Sequence, residues 1–417
     1  MFTYITTTTV PSFVALQEQY GIDAAQVNWT VAIPALGLAV GPLIWSSLAD
    51  IYGRRIIFIL GTIIALASTI GSALAPSYGG YMAARFFQGL GVSPAATVGL
   101  AAINDMFFEH ERGQKIGLWV LAIDVGLLVG PIIGGFMSMV SSAWVAWLTA
   151  ILFGVLLGLE VAFMPETLYP RAHMLLRGNA AMQTTTIGEN KEELGQLGID
   201  TVADSIPRTK RLAFINFKPL PGMRHPKPWD SALRFVLSFK FLALTIPVFV
   251  FCFTWYWWIL SVITMLPLGY PTYAPQIQGL LNIGLLLGTV FSEVFVGGRL
   301  SDNISARLTK ANGGIRLPEM RLWLAYPAGV VSAVGLILWG VSIDRQYHWM
   351  VGQVAFFLFG AGVQIGNTTV CSYIVDAYPL QSMSVITFYS VFLNLSAFID
   401  PVSLSQPILS VHILTLL

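Results

Sequence analysis

The chain has 417 residues, 55% of them hydrophobic and only 10% charged, and 22 basic against 21 acidic side chains leave a formal charge of +1. Soluble domains carry about 25% charge, so this composition, with a mean hydropathy of +0.72, excludes an ordinary water-soluble fold. The balanced charge also removes any electrostatic case for a nucleic-acid partner.

In chain order, residues 1–10 (MFTYITTTTV) are uncharged, stop before Pro11 and are too short to span a bilayer alone. No basic start precedes Met1–Val14, so no cleavable signal is read there. Ten apolar stretches follow, at 29–49, 56–75, 80–103, 116–139, 143–164, 239–266, 276–298, 323–343, 349–370 and 382–400. Each is long enough to cross a ~30 Å hydrocarbon layer as a helix. The 39 glycines and 22 prolines suit spanning helices better than soluble ones. Cys252 and Cys371 fall in or beside apolar segments and point to neither a disulfide framework nor a metal site. The five histidines are dispersed, and no GxxxxGK[ST] loop or nucleophilic catalytic set is present. No cofactor, metal or enzymatic activity is expected.

If every stretch spans, all lysines and arginines except Arg85 and Arg345 share one side, with Lys240 at the membrane edge. The positive-inside rule makes that side cytoplasmic. The gap 165–238 is long, charged and without a sustained apolar run. It divides the chain into an N-terminal half (1–164), a cytoplasmic linker loop (165–238) and a C-terminal half (239–417). The loop reads as a partly disordered linker; the alternative is a surface helix formed by its PKPWD stretch and scattered basic residues. Asn28-Trp29-Thr30 is a glycosylation sequon that abuts the membrane on the outer side.

An internal repeat supports the division. Leu48-Ala49-Asp50 precedes Gly53-Arg54-Arg55, and Leu300-Ser301-Asp302 precedes Arg307, at an offset of 252 residues. Duplicated halves of this kind are typical of secondary transporters. The same offset places the counterpart of 239–266 partly before Met1, so about thirteen residues of the first helix are expected to be missing. The tail after Pro401 is too short for a turn and another crossing. The expected fold is therefore an all-α polytopic bundle of two six-helix halves, with the first helix incomplete and the twelfth absent.

The segment from Gly41 through Asp50 to Gly53, Arg54 and Arg55 closely resembles the loop motif of the major facilitator superfamily. Gly126-Leu127-Leu128-Val129-Gly130-Pro131-Ile132-Ile133-Gly134-Gly135 resembles the fifth-helix motif of its proton-antiporter branch, and Arg85-Phe86-Phe87-Gln88-Gly89 the fourth-helix motif. Met164-Pro165-Glu166-Thr167-Leu168-Tyr169 and Arg316-Leu317-Pro318-Glu319-Met320-Arg321-Leu322 look like the fungal twelve-helix drug:proton antiporters. The resemblance implies a gate brace at Gly41, Asp50, Gly53, Arg54, Arg55 and Asp302, and links Arg85 to proton coupling.

The residues themselves add candidates. Gly126, Gly130 and Gly134 recur every four positions, a spacing that lets helices approach closely, and Pro131 interrupts the ladder; with Gly135 they form a packing hinge. Asp124 and Glu293 sit within spans with no basic neighbour in sequence, so each is a candidate proton carrier or a structural polar link. Gln88, Trp255, Tyr256, Gln364, Asn367 and Asn394 are candidates for a substrate cavity; helix cross-linking competes for the amides and interfacial anchoring for the aromatics.

The expected function is secondary transport: proton-coupled export of amphipathic organic compounds by alternating access, by a monomer in a lipid bilayer, the plasma membrane before an organelle. The alternatives are a proton symporter or facilitator for a sugar or other nutrient, and a nontransporting or inactive truncated product.

Overall fold

The computed structural model describes residues 1, 3–107, 109–168, 227–315, 317–378 and 381–404. Among these residues every regular element is helical. A short α1 (Tyr4–Thr7) and α2 (Phe13–Tyr20) are joined through a 3-10 turn at Val10–Ser12. The rest of the first half comprises α3 (Ala24–Tyr52), α4 (Arg54–Ala73), α5 (Tyr78–Val92), α6 (Pro94–Met106), α7 (Glu109–Ser138) and α8 (Ser142–Phe163). After the linker come α9 (Asp230–Ser238), α10 (Leu242–Val250), a π turn at Phe251–Tyr256 and α11 (Trp257–Gly269). Then follow α12 (Pro275–Leu280), α13 (Ile283–Phe295), α14 (Gly297–Ala311), a 3-10 stretch at Pro318–Leu324 with α15 (Ala325–Asp344), α16 (Trp349–Ala377) and α17 (Ser382–Leu404).

Ten of these runs are long and apolar enough to cross a membrane, one in each stretch expected from hydropathy. Local chemistry sets their ends. Asp23 caps α3 by accepting from the Gln26 N–H at 2.6 Å while the Gln26 side chain accepts from the Asp23 N–H, closing both orphan donors. Gly21 ends α2 at φ +63° and Gly53 separates α3 from α4 at φ +101°, conformations that a Cβ disfavours.

The expectation of an incomplete first helix and a missing twelfth is overturned. Twelve helical units are present among the described residues: α1–α2, α3, α4, α5–α6, α7, α8, α9, α10–α11, α12–α14, the 3-10 stretch with α15, α16 and α17. The offset arithmetic failed because it required each unit to be one unbroken apolar stretch. The first unit is instead broken and rich in threonine, yet buried from Thr3 through Ser12, because its hydroxyls find carbonyl acceptors. Another unit, α9, is short and lies inside the segment assigned to the linker. The tail beyond 404 and most of the linker lie outside the described residues.

The two halves meet along α3 against α17 and along α7 against α12–α14. One apolar core runs through both, from Val31, Leu100, Ile116 and Leu127 to Val248, Phe251, Phe356 and Phe388. Both ends of the bundle are closed. At the basic end Ser46 and Thr387 share a hydrogen bond of 2.7 Å, and α9 bridges the halves. Its Ser231 N–H donates to Ser47 Oγ at 3.0 Å, and its Phe235 and Phe239 rings pack on Phe388 and Phe392. At the opposite end Trp29 meets Phe398 at 6.0 Å between ring centres.

Candidate functional site

Two buried polar clusters occupy the middle of the bundle. In the first, Asn367 on α16 donates to Asp124 Oδ2 on α7 at 3.2 Å, a hydrogen bond between the two halves. Asn367 Oδ1 accepts from the Tyr389 hydroxyl on α17 and from Cys371 Sγ at 3.6 Å. In the second, Glu293 Oε2 on α13 accepts from Thr368 Oγ1 at 2.6 Å and from Gln364 Nε2 at 2.8 Å. Gly117 of α7 lies directly against that carboxylate and Thr368, leaving no room for a side chain. Gln364, Asn367 and Cys371 lie one helical turn apart, so one face of α16 serves both clusters. Asp124 Oδ1 and Gln364 Oε1 are buried without a donor. The neutral side chains of Asn367, Thr368 and Gln364 thus hydrogen-bond to two carboxylates in the middle of the bundle.

Arg85 is buried rather than reaching toward the membrane surface. Its Nε and Nη2 donate to the Thr30 carbonyl at 3.3 and 3.0 Å, Nη2 also to the Ile5 carbonyl at 2.8 Å, and Nη1 to Gln88 Oε1 at 2.8 Å. Gln88 in turn donates to Thr69 at 2.7 Å. The Thr30 carbonyl is open because Pro34, four residues on, has no N–H to give it. The guanidinium, with its fixed fan of donors, fills that gap. A small cavity of about 30 Å³ adjoins Arg85, Gln88, Thr9 and Tyr81.

Three more prolines repeat the pattern. Pro131 frees the Leu127 carbonyl, which accepts from Thr7 Oγ1 at 2.6 Å. Pro94 frees Leu90, which accepts from Trp45 Nε1 at 2.9 Å. Pro247 frees Ala243, which accepts from the Tyr373 hydroxyl at 3.0 Å. Each of these four breaks thus receives a donor from a different helix, which suits a bilayer interior.

The glycine stripe has two partners. Gly126, Gly130 and Gly134 pack on Thr3, Thr7 and Thr8 of the first helical unit, while Gly135 and Pro131 pack on Pro275 and Gly279 of the other half. Gly41 sits against Ser93 where α3 crosses the α5–α6 junction.

At the basic end the repeat builds two different clusters. In the first half Glu166, beyond α8, accepts from the backbone N–H groups of Arg54 and Arg55 at 3.0 and 3.3 Å, a carboxylate on a helix N-terminus. Arg55 Nη2 reaches the Val161 carbonyl at 2.7 Å, and Asp50 lies in the turn of α3 that leads into Gly53. In the second half Arg321 is 1% exposed and pairs with Asp302 at 2.9 Å and Asp376 at 2.6 Å. Gly113 of α7 touches this pair from the other half.

The aromatic candidates separate. Tyr256 is buried in the shared core. Trp255 instead turns toward α15, where it lines a cavity of about 340 Å³ with Thr254, Trp258, Ser332 and Leu336. Asn394 donates to its own helix at Ser390 O, 2.7 Å, and joins neither central cluster. Among the described residues no group of three or more His, Cys, Asp or Glu is placed to hold a metal ion.

Comparison with known proteins fits this geometry. The model of the family described as Major Facilitator Superfamily matches residues 1–401. The chain belongs to the major facilitator superfamily. It is a secondary transporter, not an enzyme, and an integral multi-pass membrane protein. Among its relatives, the probable efflux pump mfs2 of Aspergillus flavus is 28% identical over 94% of this chain and 88% of its own length. The MFS-type efflux pump MFS2 of Trichophyton rubrum is 29% identical over 92% of this chain and 61% of its own length. A solved proton:xylose symporter, XylE bound to 6-bromo-6-deoxy-D-glucose, superposes with a TM-score of 0.64 at 15% identity, covering 98% of this chain and 86% of its own.

Within this superfamily fold the sequence pointed to Asp124, Glu293, Gln364 and Asn367, and the structure gathers them. It missed Tyr389, Thr368, Asp376 and the Ser46–Thr387 pair. A tyrosine or threonine in a spanning helix has no compositional signature. Asp376 carries a charge, but at the end of a span it reads as an ordinary boundary.

Proposed function

We propose that this transporter couples the movement of a small organic solute to protons, with Asp124 and Glu293 as the carboxylates that load and unload. The single observation behind this reading is the central cluster in which Asp124 accepts a hydrogen bond from the neutral Asn367 of the other half, with Glu293 held by Thr368 and Gln364 one turn away on the same helix face. Asp124, so placed, changes its charge at the expense of one proton and no salt bridge. Because Asp124 meets Asn367 across the halves, its protonation state bears on whether the halves separate.

Alternating access then follows from parts already described. The halves 1–164 and 239–417 would rock about the centre. Gly41, Asp50, Gly53, Arg54, Arg55 and Asp302 would brace the basic end, taken as cytoplasmic. Gly126, Gly130, Pro131, Gly134 and Gly135 would form the sliding and bending contact. Arg85 and Gln88 would fix the first helical unit relative to α3 and α5. We take the working unit as a monomer.

For the solute, the reading favoured by the centre is a compound bearing several hydrogen-bonding groups, carried together with the proton. Asp124, Glu293, Gln364, Thr368, Asn367 and Tyr389 offer donors and acceptors there, whereas Trp255 lines the cavity against α15. A second reading, export in exchange for protons, is favoured by the glycine stripe with Pro131 and by relatives named as efflux pumps. Purified protein in sealed vesicles, with a pH gradient imposed in each direction, separates them. A labelled hexose accumulating with the proton flow supports symport. A fluorescent lipophilic cation moving against it supports export. Fluxes of both that ignore the gradient would contradict proton coupling.

A further inference from the structure

Asp400 near the end of α17 has no place in the site above. It is fully buried. Oδ1 accepts from Ser261 Oγ of α11 at 2.5 Å, and Oδ2 is buried with no donor. No ion pair reaches it, since those seen among the described residues join Arg321 to Asp302 and Asp376.

The helices packed on α17 offer no charge at this depth either. Asp50 and Tyr52 on α3, Asp105 near the end of α6, Asp230 and Arg234 on α9, and Tyr373 and Asp376 on α16 all lie toward the basic end. Cys252, Tyr256 and Cys371 lie nearer the level of Tyr389. Neither α10 nor α11 carries an ionisable side chain. Asp23 and His348, at the far ends of α3 and α16, are exposed and engaged in capping.

An anion here would leave one oxygen unsolvated in apolar surroundings, which costs several kcal/mol by analogy with other buried unpaired charges. A neutral acid keeps the Ser261 hydrogen bond and avoids that cost. Position adds the second argument. Asp400 follows Tyr389 by eleven residues, about three helical turns or ~16 Å, so both project from one face of α17. The buried Ser396 lies between them. Asp400 is two residues from Phe398, whose contact with Trp29 closes the end of the bundle opposite the basic loops.

Resting on the proton-coupled reading above, we infer that Asp400 is a further proton-holding site, loaded in this closed conformation, which releases its proton to the aqueous phase opposite the basic end when the Trp29–Phe398 contact parts. The step is a simple acid dissociation: the O–H bond breaks, the proton passes to water, and the carboxylate becomes hydrated in the opened end.

Infrared difference spectroscopy of the purified full chain tests the loading directly. The wild type should show a protonated-carboxyl C=O band that shifts in D2O. Asp400→Asn should remove one such component, Asp124→Asn should leave it, and Ser261→Ala should move it to higher frequency without loss. A spectrum unchanged by Asp400→Asn would overturn the assignment. Release is read with pyranine in vesicles after an alkaline jump on the side opposite the basic loops. Asp400→Asn should release one proton fewer per chain, and an equal release would overturn the exchange step. If wild-type solute flux ignores the pH gradient while the band remains, the coupled-transport reading fails and the protonated site stands.

Discussion

Thr7 donates its hydroxyl at 2.6 Å to the carbonyl of Leu127, the one that Pro131 leaves without an N–H. The bond joins the polar first helical unit to the bend in α7, and it explains why a threonine-rich segment is buried in an apolar bundle. An unsatisfied buried carbonyl costs about 1–3 kcal/mol. Thr7→Val should lower thermal stability by that order and Thr7→Ser by less. Pro131→Ala restores the N–H, so in the double variant the Thr7→Val cost should shrink. Thermal unfolding of the four proteins in detergent measures the coupling, and simple additivity would contradict it.

Arg85 supplies donors to both the Thr30 and Ile5 carbonyls. Lysine keeps the charge but lacks the rigid fan of N–H groups. Arg85→Lys is expected to destabilise the protein by roughly 2–3 kcal/mol, the order of a lost charge-assisted hydrogen bond plus an open carbonyl. Combining it with Pro34→Ala, which supplies the missing N–H to Thr30, should recover part of the loss in the same unfolding assay.

The Ser46–Thr387 bond and α9 hold the basic end shut. Replacing Ser46 by Ala together with Thr387 by Val should favour opening there by about 1 kcal/mol, a roughly fivefold shift. A cysteine placed at Ser390, whose hydroxyl reaches the Ala96 carbonyl at 3.3 Å across the halves, reports it through its rate of thiol labelling. The rate should rise in the double variant. An unchanged rate would mean that the apolar interface alone sets the closed state.

Arg321 is buried between Asp302 and Asp376. Removing one partner of a buried ion pair typically costs about 3–5 kcal/mol, because the other charge stays behind. Arg321→Met should therefore reduce the yield of folded protein sharply. Arg321→Met with Asp302→Asn and Asp376→Asn should recover stability, but not the gating proposed for this end. Fluorescence-detected size exclusion reports folding, and vesicle flux reports gating.

Hydropathy made the ten spans legible because length and apolarity are enough to define them. It failed on the first unit because it scores Thr6 and Thr8 as polar, although their hydroxyls bond to the Thr3 and Ile5 carbonyls of their own helix. In the site, Asp124 and Glu293 were visible because carboxylates are rare inside spans. Which groups face them was not, because hydropathy carries no direction: neighbours in sequence, Tyr256 is buried in the core while Trp255, at the edge of that core, also lines a cavity. Glu166 stood out only within the Met164–Tyr169 resemblance, and its contacts with the Arg54 and Arg55 N–H groups join positions distant in the chain. The proline-freed carbonyls were predictable as acceptors, but their donors depend on the packing of the helices.

Asp124→Asn tests the central claim most directly, because asparagine keeps an oxygen for Asn367 and removes only the ability to carry a proton. In vesicles, with whichever of the labelled hexose and the lipophilic cation the wild type moves, gradient-driven flux should fall at least about tenfold, a 1.4 kcal/mol effect or more. Solute exchange at equal pH should persist. Gradient-driven flux retained at the wild-type level would contradict Asp124 as the coupling carboxylate.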